Sequence, residues 1–240
     1  MLIYGINPVI EALRGGRVTR VRIADRDDRR VAGVVRSAER AGVRVERVPV
    51  DVLRHASRGG AHQGVVAEVL EPRAHTVEDL VAGASQPALF VVLDGVEDPR
   101  NVGAILRTCD AAGVDGVIRQ TRHAARLDGA AAKTAAGAVT HLKIADVVNI
   151  SRALDELKAA GVWTVGLASD AGRPCDSVDF TVPAAIVMGA EDAGLRRLVR
   201  ERCDWLVSIP MRGHVESLNV SVATGIVLFE VLRQRRVKGT

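Results

Sequence analysis

Ile209-Pro210-Met211-Arg212-Gly213-His214-Val215-Glu216-Ser217-Leu218-Asn219-Val220-Ser221-Val222-Ala223-Thr224-Gly225 leaves an apolar strand, crosses a glycine-containing loop and enters an apolar helix that continues to about Arg235. Ser217, Asn219 and Ser221 crowd the junction between loop and helix. A helix N-terminus has backbone N–H groups without partners, and small polar side chains cap them. Taken alone, the stretch is a capped helix after a strand. Its further meaning depends on what the other strand ends bring beside it.

From Ala88 onward the pattern is α/β. Strands are expected at Leu89–Asp94, Gly116–Ile118, Val162–Leu167, Ala184–Met188 and Trp205–Ile209. Several are continuous apolar runs, the mark of a parallel sheet covered on both faces. Helical patterns fall between them at Val102–Ala112, Ala130–Ala136, Ile150–Ala160, Leu195–Arg202 and Val220–Arg235. The first 70 residues form a smaller α/β module. Pro8 stands in the first turn of a helix that Gly15-Gly16 stops, and strand-like segments follow at Val18–Ile23, Val43–Val48 and His62–Leu70. Pro72, Gly83, Ser85 and Pro87 mark the join, with one short helical pattern at Val77–Val81. The expected organisation is a domain over 1–71, a linker over 72–87 and a second domain over 88–240.

Composition narrows the function. Only six of 240 residues are aromatic, so the core is built from Val, Leu, Ala and Ile. No apolar run approaches the roughly 20 residues that cross a bilayer, and the N-terminus does not read as a signal peptide, which predicts a cytoplasmic protein without a membrane. Cys109, Cys175 and Cys203 are odd in number and far apart, against a disulfide framework, and the histidines form no ligand pair, so no metal is expected. The net charge of +4 favours a polyanionic partner. Only four lysines occur, none before Lys133, so arginine carries most of the positive charge. That suits RNA, and it equally suits a genome biased towards arginine codons.

Ligands gather at the carboxyl ends of strands in open parallel sheets. Three such ends carry polar residues that a bare connector does not need. The first is Asp94-Gly95-Val96-Glu97-Asp98-Pro99-Arg100-Asn101-Val102-Gly103-Ala104-Ile105-Leu106-Arg107. There Asn101 is expected to cap the helix, and Arg107, flanked by apolar residues, is expected on a buried side where it needs an anion or carboxylate. The second is Met188-Gly189-Ala190-Glu191-Asp192-Ala193-Gly194-Leu195, in which Gly189 would let a ligand approach the backbone closely. The third is the stretch quoted first. Asn, Arg, Glu and Ser without a Ser/His/Asp or metal pattern suit positioning and polarisation. The G-x-G-x-x-G fingerprint is missing, which excludes a nicotinamide-binding reading.

In this order the three segments resemble the motifs of the SpoU (TrmH) branch of the SPOUT RNA methyltransferases. Asn101, Gly103 and Arg107 match N-x-G-x-x-x-R, Gly189 and Glu191 match the G-x-E turn, and Ser217-Leu218-Asn219-Val220-Ser221 resembles the final motif. Gly5-x-Asn7-Pro8-Val9 and His62-Gln63-Gly64-Val65-Val66 are similar to the substrate-binding domain of the bacterial 23S ribosomal-RNA guanosine 2′-O-methyltransferases. The resemblance implies a deep C-terminal trefoil knot, S-adenosylmethionine as cofactor and a homodimer. It implies a catalytic set of Asn101, Arg107, Glu191, Ser217 and Asn219. It also implies cofactor contacts at Gly189, Ile209 and Leu218, with Leu167 and Met211 as neighbours.

The chain departs from the family pattern at Asp192, where glycine is usual, and at Ala136 and Thr140, where serine and glutamate are common. The implied function is methylation of a ribose 2′-hydroxyl, with 23S ribosomal RNA guanosine as substrate. Transfer RNA, an antibiotic-resistance site on ribosomal RNA, and an RNA-binding protein that no longer methylates stand as alternatives. A guanidinium with a pKa above roughly 12 is a poor base, so Arg107 is assigned to the neighbouring phosphate and the developing alkoxide.

Overall fold

The structure, a computed structural model, describes residues 1–25, 29–70, 75–121, 127, 131, 134–135 and 137–239. The chain forms two compact units, one of Met1–Arg73 with Arg126–His141 and one of Ala74–Ala125 with Leu142–Thr240.

The first unit runs β1 (Leu2–Tyr4), α1 (Ile6–Arg14), β2 (Val18–Ala24), α2 (Arg29–Arg40), β3 (Arg44–Val48), α3 (Val50–Ala56) and β4 (Val65–Val69). The sheet order is β1-β4-β2-β3, with β4 antiparallel to both neighbours and β2 parallel to β3. In β4, Val65, Ala67 and Val69 pack with Val9, Leu13 and Val34, while Val66 joins Tyr4, Val48 and Leu53 in a separate cluster. The strand is apolar at successive positions because both its faces are covered. Two differences from expectation have local causes. Three-residue β1 is too short to show alternation. The expected strand from His62 begins only at Val65, because Gln63 and Gly64 hold left-handed backbone (φ 52° and 81°). The Gln63 side chain then accepts a hydrogen bond from the Ile6 N–H at 3.1 Å, which joins the two segments singled out in this unit.

The second unit contains β5 (Leu89–Asp94), β6 (Gly116–Gln120), β7 (Ile144–Val147), β8 (Trp163–Leu167), β9 (Ala184–Gly189) and β10 (Trp205–Val207). All pair in parallel in the order β10-β8-β9-β5-β6-β7. Strands β5 and β9 are buried at every residue. Helices α4 (Val77–Ala82), α6 (Ile150–Ala159) and α7 (Arg197–Arg202) supply Leu80, Leu154, Leu157 and Val199 to a core with Phe90, Val92, Ala185 and Val187. Helices α5 (Pro99–Ala111) and α8 (Val220–Lys238) pack against each other. Strand β7 escapes the sequence reading because Asp146 interrupts an apolar run of four residues. Helix α7 starts at Arg197, later than expected: Arg196 keeps extended backbone (ψ 147°), and its N–H is held by the Asp94 carboxylate at 2.9 Å. The helix expected at Ala130–Ala136 falls largely outside the described residues, as do Ala136 and part of the expected linker. Thr140 closes a 3-10 turn, Ala138–Thr140.

Near its end, α8 is held by one buried arginine. Arg235 donates to the carbonyls of Pro87 (2.7 Å), Ala88 (2.9 Å), Phe180 (3.0 Å) and Val182 (3.2 Å). Burial pulls its pKa below the usual guanidinium value. Replacing it leaves carbonyls without a charged donor, so Arg235→Leu is expected to lower stability by about 2–3 kcal/mol in urea denaturation. The three cysteines are free, and burial first of all raises each thiol pKa, that of Cys203 up to about 12. A raised pKa leaves little thiolate, the reactive form. The native protein is therefore expected to resist a thiol reagent at pH 8 and to titrate all three thiols once unfolded.

Candidate active site

Going outward from β5, the chain lays down β6 and β7 on one side, then returns to build β8, β9 and β10 on the other. Strand order reverses between β5 and β9, and the carboxyl ends of strands at such a reversal open as a crevice. A cavity of about 310 Å³ lies beside that reversal, at the carboxyl ends of β8, β9 and β10. Leu167 at the end of β8, Gly189 at the end of β9, Ile209 and Met211 after β10, and Leu218 before α8 all line it. Glu191, Ser217 and Asn219 line it too. Glu216, in the loop for which the sequence offers no role, is a further wall residue.

Asn101 does not cap α5, contrary to expectation. Pro99 occupies the first turn, and the Asp98 carboxylate caps by accepting from the Arg100 N–H at 2.8 Å. Asn101 is the third residue of the helix, and its side chain is free for another task. Its amide donates to Glu191 Oε1 at 2.7 Å, and its Oδ1 accepts from Asn219 Nδ2 at 3.0 Å. Asn219 in turn caps α8, its Oδ1 accepting from Ser221 N at 2.9 Å and Ser221 Oγ at 2.6 Å. One hydrogen-bond chain thus links all three polar strand ends.

The turn that carries Glu191 is closed by paired backbone bonds, Ala190 N to Gly194 O at 3.0 Å and Gly194 N to Ala190 O at 2.9 Å. A Cβ on Gly189 would stand 2.1 Å from the Gly194 carbonyl carbon. Gly189 is therefore required by the turn folding back on its own strand, where the sequence suggests approach of a ligand. Asp192 keeps ordinary backbone: among the described non-glycine residues, positive φ occurs at Arg58 and Gln63. The left-handed angle of this turn falls on Gly194 (φ 65°).

Arg107 departs further from expectation. The buried stripe of α5 is Val102, Gly103, Ile105, Leu106 and Cys109, and Arg107 lies off it, exposed. Among the described residues no carboxylate pairs with it. Six residues at a rise of about 1.5 Å put it about 9 Å along the helix from Asn101. It is not a wall of the cavity.

The sequence reading passes over Asp94. This carboxylate is fully buried at the end of β5 and is met by the Arg196 guanidinium at 2.5 and 2.7 Å as well as by the Arg196 N–H. The signal is an acid closing an otherwise apolar strand, where only a paired charge is tolerated. Asp94 and Arg196 hold the end of β5 against the far side of the Glu191 turn. No group of His, Cys, Asp and Glu suited to a metal occurs among the described residues.

Comparison with known proteins matches both units. Residues 88–229 match the model of the SpoU rRNA Methylase family, and residues 2–74 match that of RNA 2′-O ribose methyltransferase substrate binding. The chain is 48% identical to the 23S rRNA (guanosine-2′-O-)-methyltransferase RlmB of Nitrosomonas europaea, over 88% of this chain and 81% of that one. It is 45% identical to the RlmB of Yersinia pestis, over 99% and 98%. Among solved structures, the SpoU methyltransferase AviRb from Streptomyces viridochromogenes, in complex with AdoMet, superposes with a TM-score of 0.83 at 27% identity, covering 99% of this chain and 91% of that one. With a family model covering more than half its length and relatives this similar over nearly all of it, the chain belongs to the SpoU rRNA methylase family.

Proposed function

We propose that this protein transfers a methyl group from S-adenosylmethionine to a ribose 2′-hydroxyl, and that its substrate is a guanosine of 23S ribosomal RNA. The observation that carries the reading is the hydrogen-bond chain Glu191–Asn101–Asn219 at the mouth of a cavity lined by Leu167, Gly189, Ile209, Met211 and Leu218. The names of the RlmB relatives support the substrate, and the AdoMet held by AviRb supports the cofactor.

The cavity fits that cofactor chemically. Leu167, Ile209, Met211 and Leu218 offer apolar walls for a flat purine, while the strand ends offer backbone groups for its polar edge. S-adenosylmethionine, when bound, supplies a methyl group carried on a sulfonium. The residues of the chain then have to align the hydroxyl, hold its developing negative charge and let its proton leave. Arg107 is exposed and charged, the state needed to grip a phosphate and steady an alkoxide. Ser217 reaches the incoming ribose. Asn219, through its bonds to Asn101 and Ser221, positions the loop that carries Ser217.

The C-terminal region is read as a trefoil knot. Its support is the insertion of β9 between β8 and β5, followed by passage of the chain to β10 and back across the sheet in α8. We assign residues 1–71 to substrate binding, 72–87 to a linker and 88–240 to the methyltransferase domain. The protein is read as a cytoplasmic homodimer. Val222, Ile226 and Phe229 are 50%, 42% and 54% exposed. They follow one another at i, i+4 and i+7 on α8, the spacing of one helix face. No described helix is long and apolar enough to cross a membrane.

Arg107→Ala is expected to lower methyl transfer to a 23S ribosomal RNA fragment at least 100-fold while cofactor affinity by calorimetry stays within about twofold. Full activity would remove Arg107 from the reaction. Gly189→Ala, by contrast, should abolish cofactor binding, because the Glu191 turn can no longer close. For the dimer, Phe229→Glu is expected to give a monomer in sedimentation velocity, against a dimer for the unaltered chain.

A further inference from the structure

Both tryptophans of this aromatic-poor chain stand together, outside the cofactor cavity. Trp163 opens β8 and Trp205 opens edge strand β10, with ring centroids 6.2 Å apart and planes inclined by 27°. Trp163 is 47% exposed and Trp205 38%. The Arg173 guanidinium lies over the Trp205 ring, 4.1 Å from its centroid. Arg173 is exposed, and among the described residues no carboxylate pairs with it. The three side chains border a cavity of about 320 Å³ whose other walls include Val178, Asp179 and Phe180. Trp163 and Leu167 are the two ends of β8, so this cavity and the cofactor cavity share one strand, about 13 Å apart along it.

This grouping is poorly explained by folding alone. An indole is among the largest apolar surfaces a chain can bury, and here two are left half out of water, side by side. An edge strand that displays aromatic rings invites unwanted pairing, which folds normally avoid. Flat aromatic faces beside an uncompensated guanidinium form the surface on which unpaired nucleobases stack, with the cation close to the following phosphate. Charge selects among possible occupants: among the described residues Arg173 has no acidic partner, and a polyanion provides one.

We propose that Trp163, Trp205 and Arg173 form a stacking site for an unpaired base of the RNA substrate, separate from the methyl-transfer site. The proposal rests on the RNA-modifying function given above and extends it. The site holds a flanking single-stranded nucleotide, with the indole pair taking the base and Arg173 its phosphate. The site reads the base by its face, so it favours single-stranded character over a particular sequence.

Because the chain has no other tryptophan, its tryptophan emission, excited selectively over Tyr4, reports on this place alone. Titrating the full-length protein with a hexa-adenylate RNA is expected to quench that emission saturably. Inorganic polyphosphate of matched charge is expected not to. Trp163→Ala, read through the remaining Trp205, should weaken hexa-adenylate binding about tenfold. Arg173→Gln, which leaves both indoles in place, should weaken it several-fold, with an unchanged circular-dichroism spectrum for each variant.

Absence of quenching, or equal quenching by polyphosphate, overturns the proposal. So does an emission change with protein concentration alone that Trp163→Ala abolishes, since a second copy of the chain would then be the occupant. Methyl transfer to ribosomal RNA is measured in parallel. Transfer without quenching rejects the stacking site and leaves the enzymatic function standing. Quenching without transfer does the reverse.

Discussion

Three loops that are far apart in the chain are held in one arrangement by a single asparagine side chain. Asn101 is used at both ends, its amide donating to Glu191 and its carbonyl oxygen accepting from Asn219. Because each end of the amide has its own partner, the group has one satisfied orientation. The start of α5, the turn after β9 and the start of α8 are therefore registered by hydrogen-bond geometry. The Asp94–Arg196 pair braces the same turn from its buried side. The mouth of the cavity is set by polar contacts and its walls by the parallel sheet beneath.

Much of the architecture could be read directly from the sequence. The unbroken apolar runs in β5 and β9 state that both faces of those strands are covered, and Leu89–Asp94 begins and ends where expected. What escaped reading has short range or mixed polarity, as in β1 and β7, where three or four residues carry too little period to recognise. Boundaries shifted where a side chain from a distant segment intervened. Arg196 is the example, since the acid that binds its N–H stands 102 residues earlier.

The site divides in the same way. Spacing between small polar residues and strand ends was enough to bring Glu191, Ser217 and Asn219 to one cavity. The part played by each was not. Asn101 was expected as a cap because it precedes an apolar run, yet Asp98 and Pro99 cap that helix better, and Asn101 is released for a tertiary contact. Gly189 faces the cavity as its spacing suggests, and its own chain also occupies the space a side chain would need. Arg107 was expected inside, and the 3.6-residue period of α5 carries it outside. Residue type and spacing identify a strand end as special, but only the fold reveals which partner each side chain meets.

The anchoring of α8 bears on how freely the surrounding sequence can drift. Every acceptor named for Arg235 is a main-chain oxygen, contributed by Pro87, Ala88, Phe180 and Val182. Substitution at Ala88, Phe180 or Val182 changes a side chain and leaves the carbonyl where it was. One end of the interaction is thus supplied by the path of the chain and is indifferent to sequence, while the other depends on a single codon. Such a joint lets the entrance of β5 and the approach to β9 diverge among descendants without loosening the last helix.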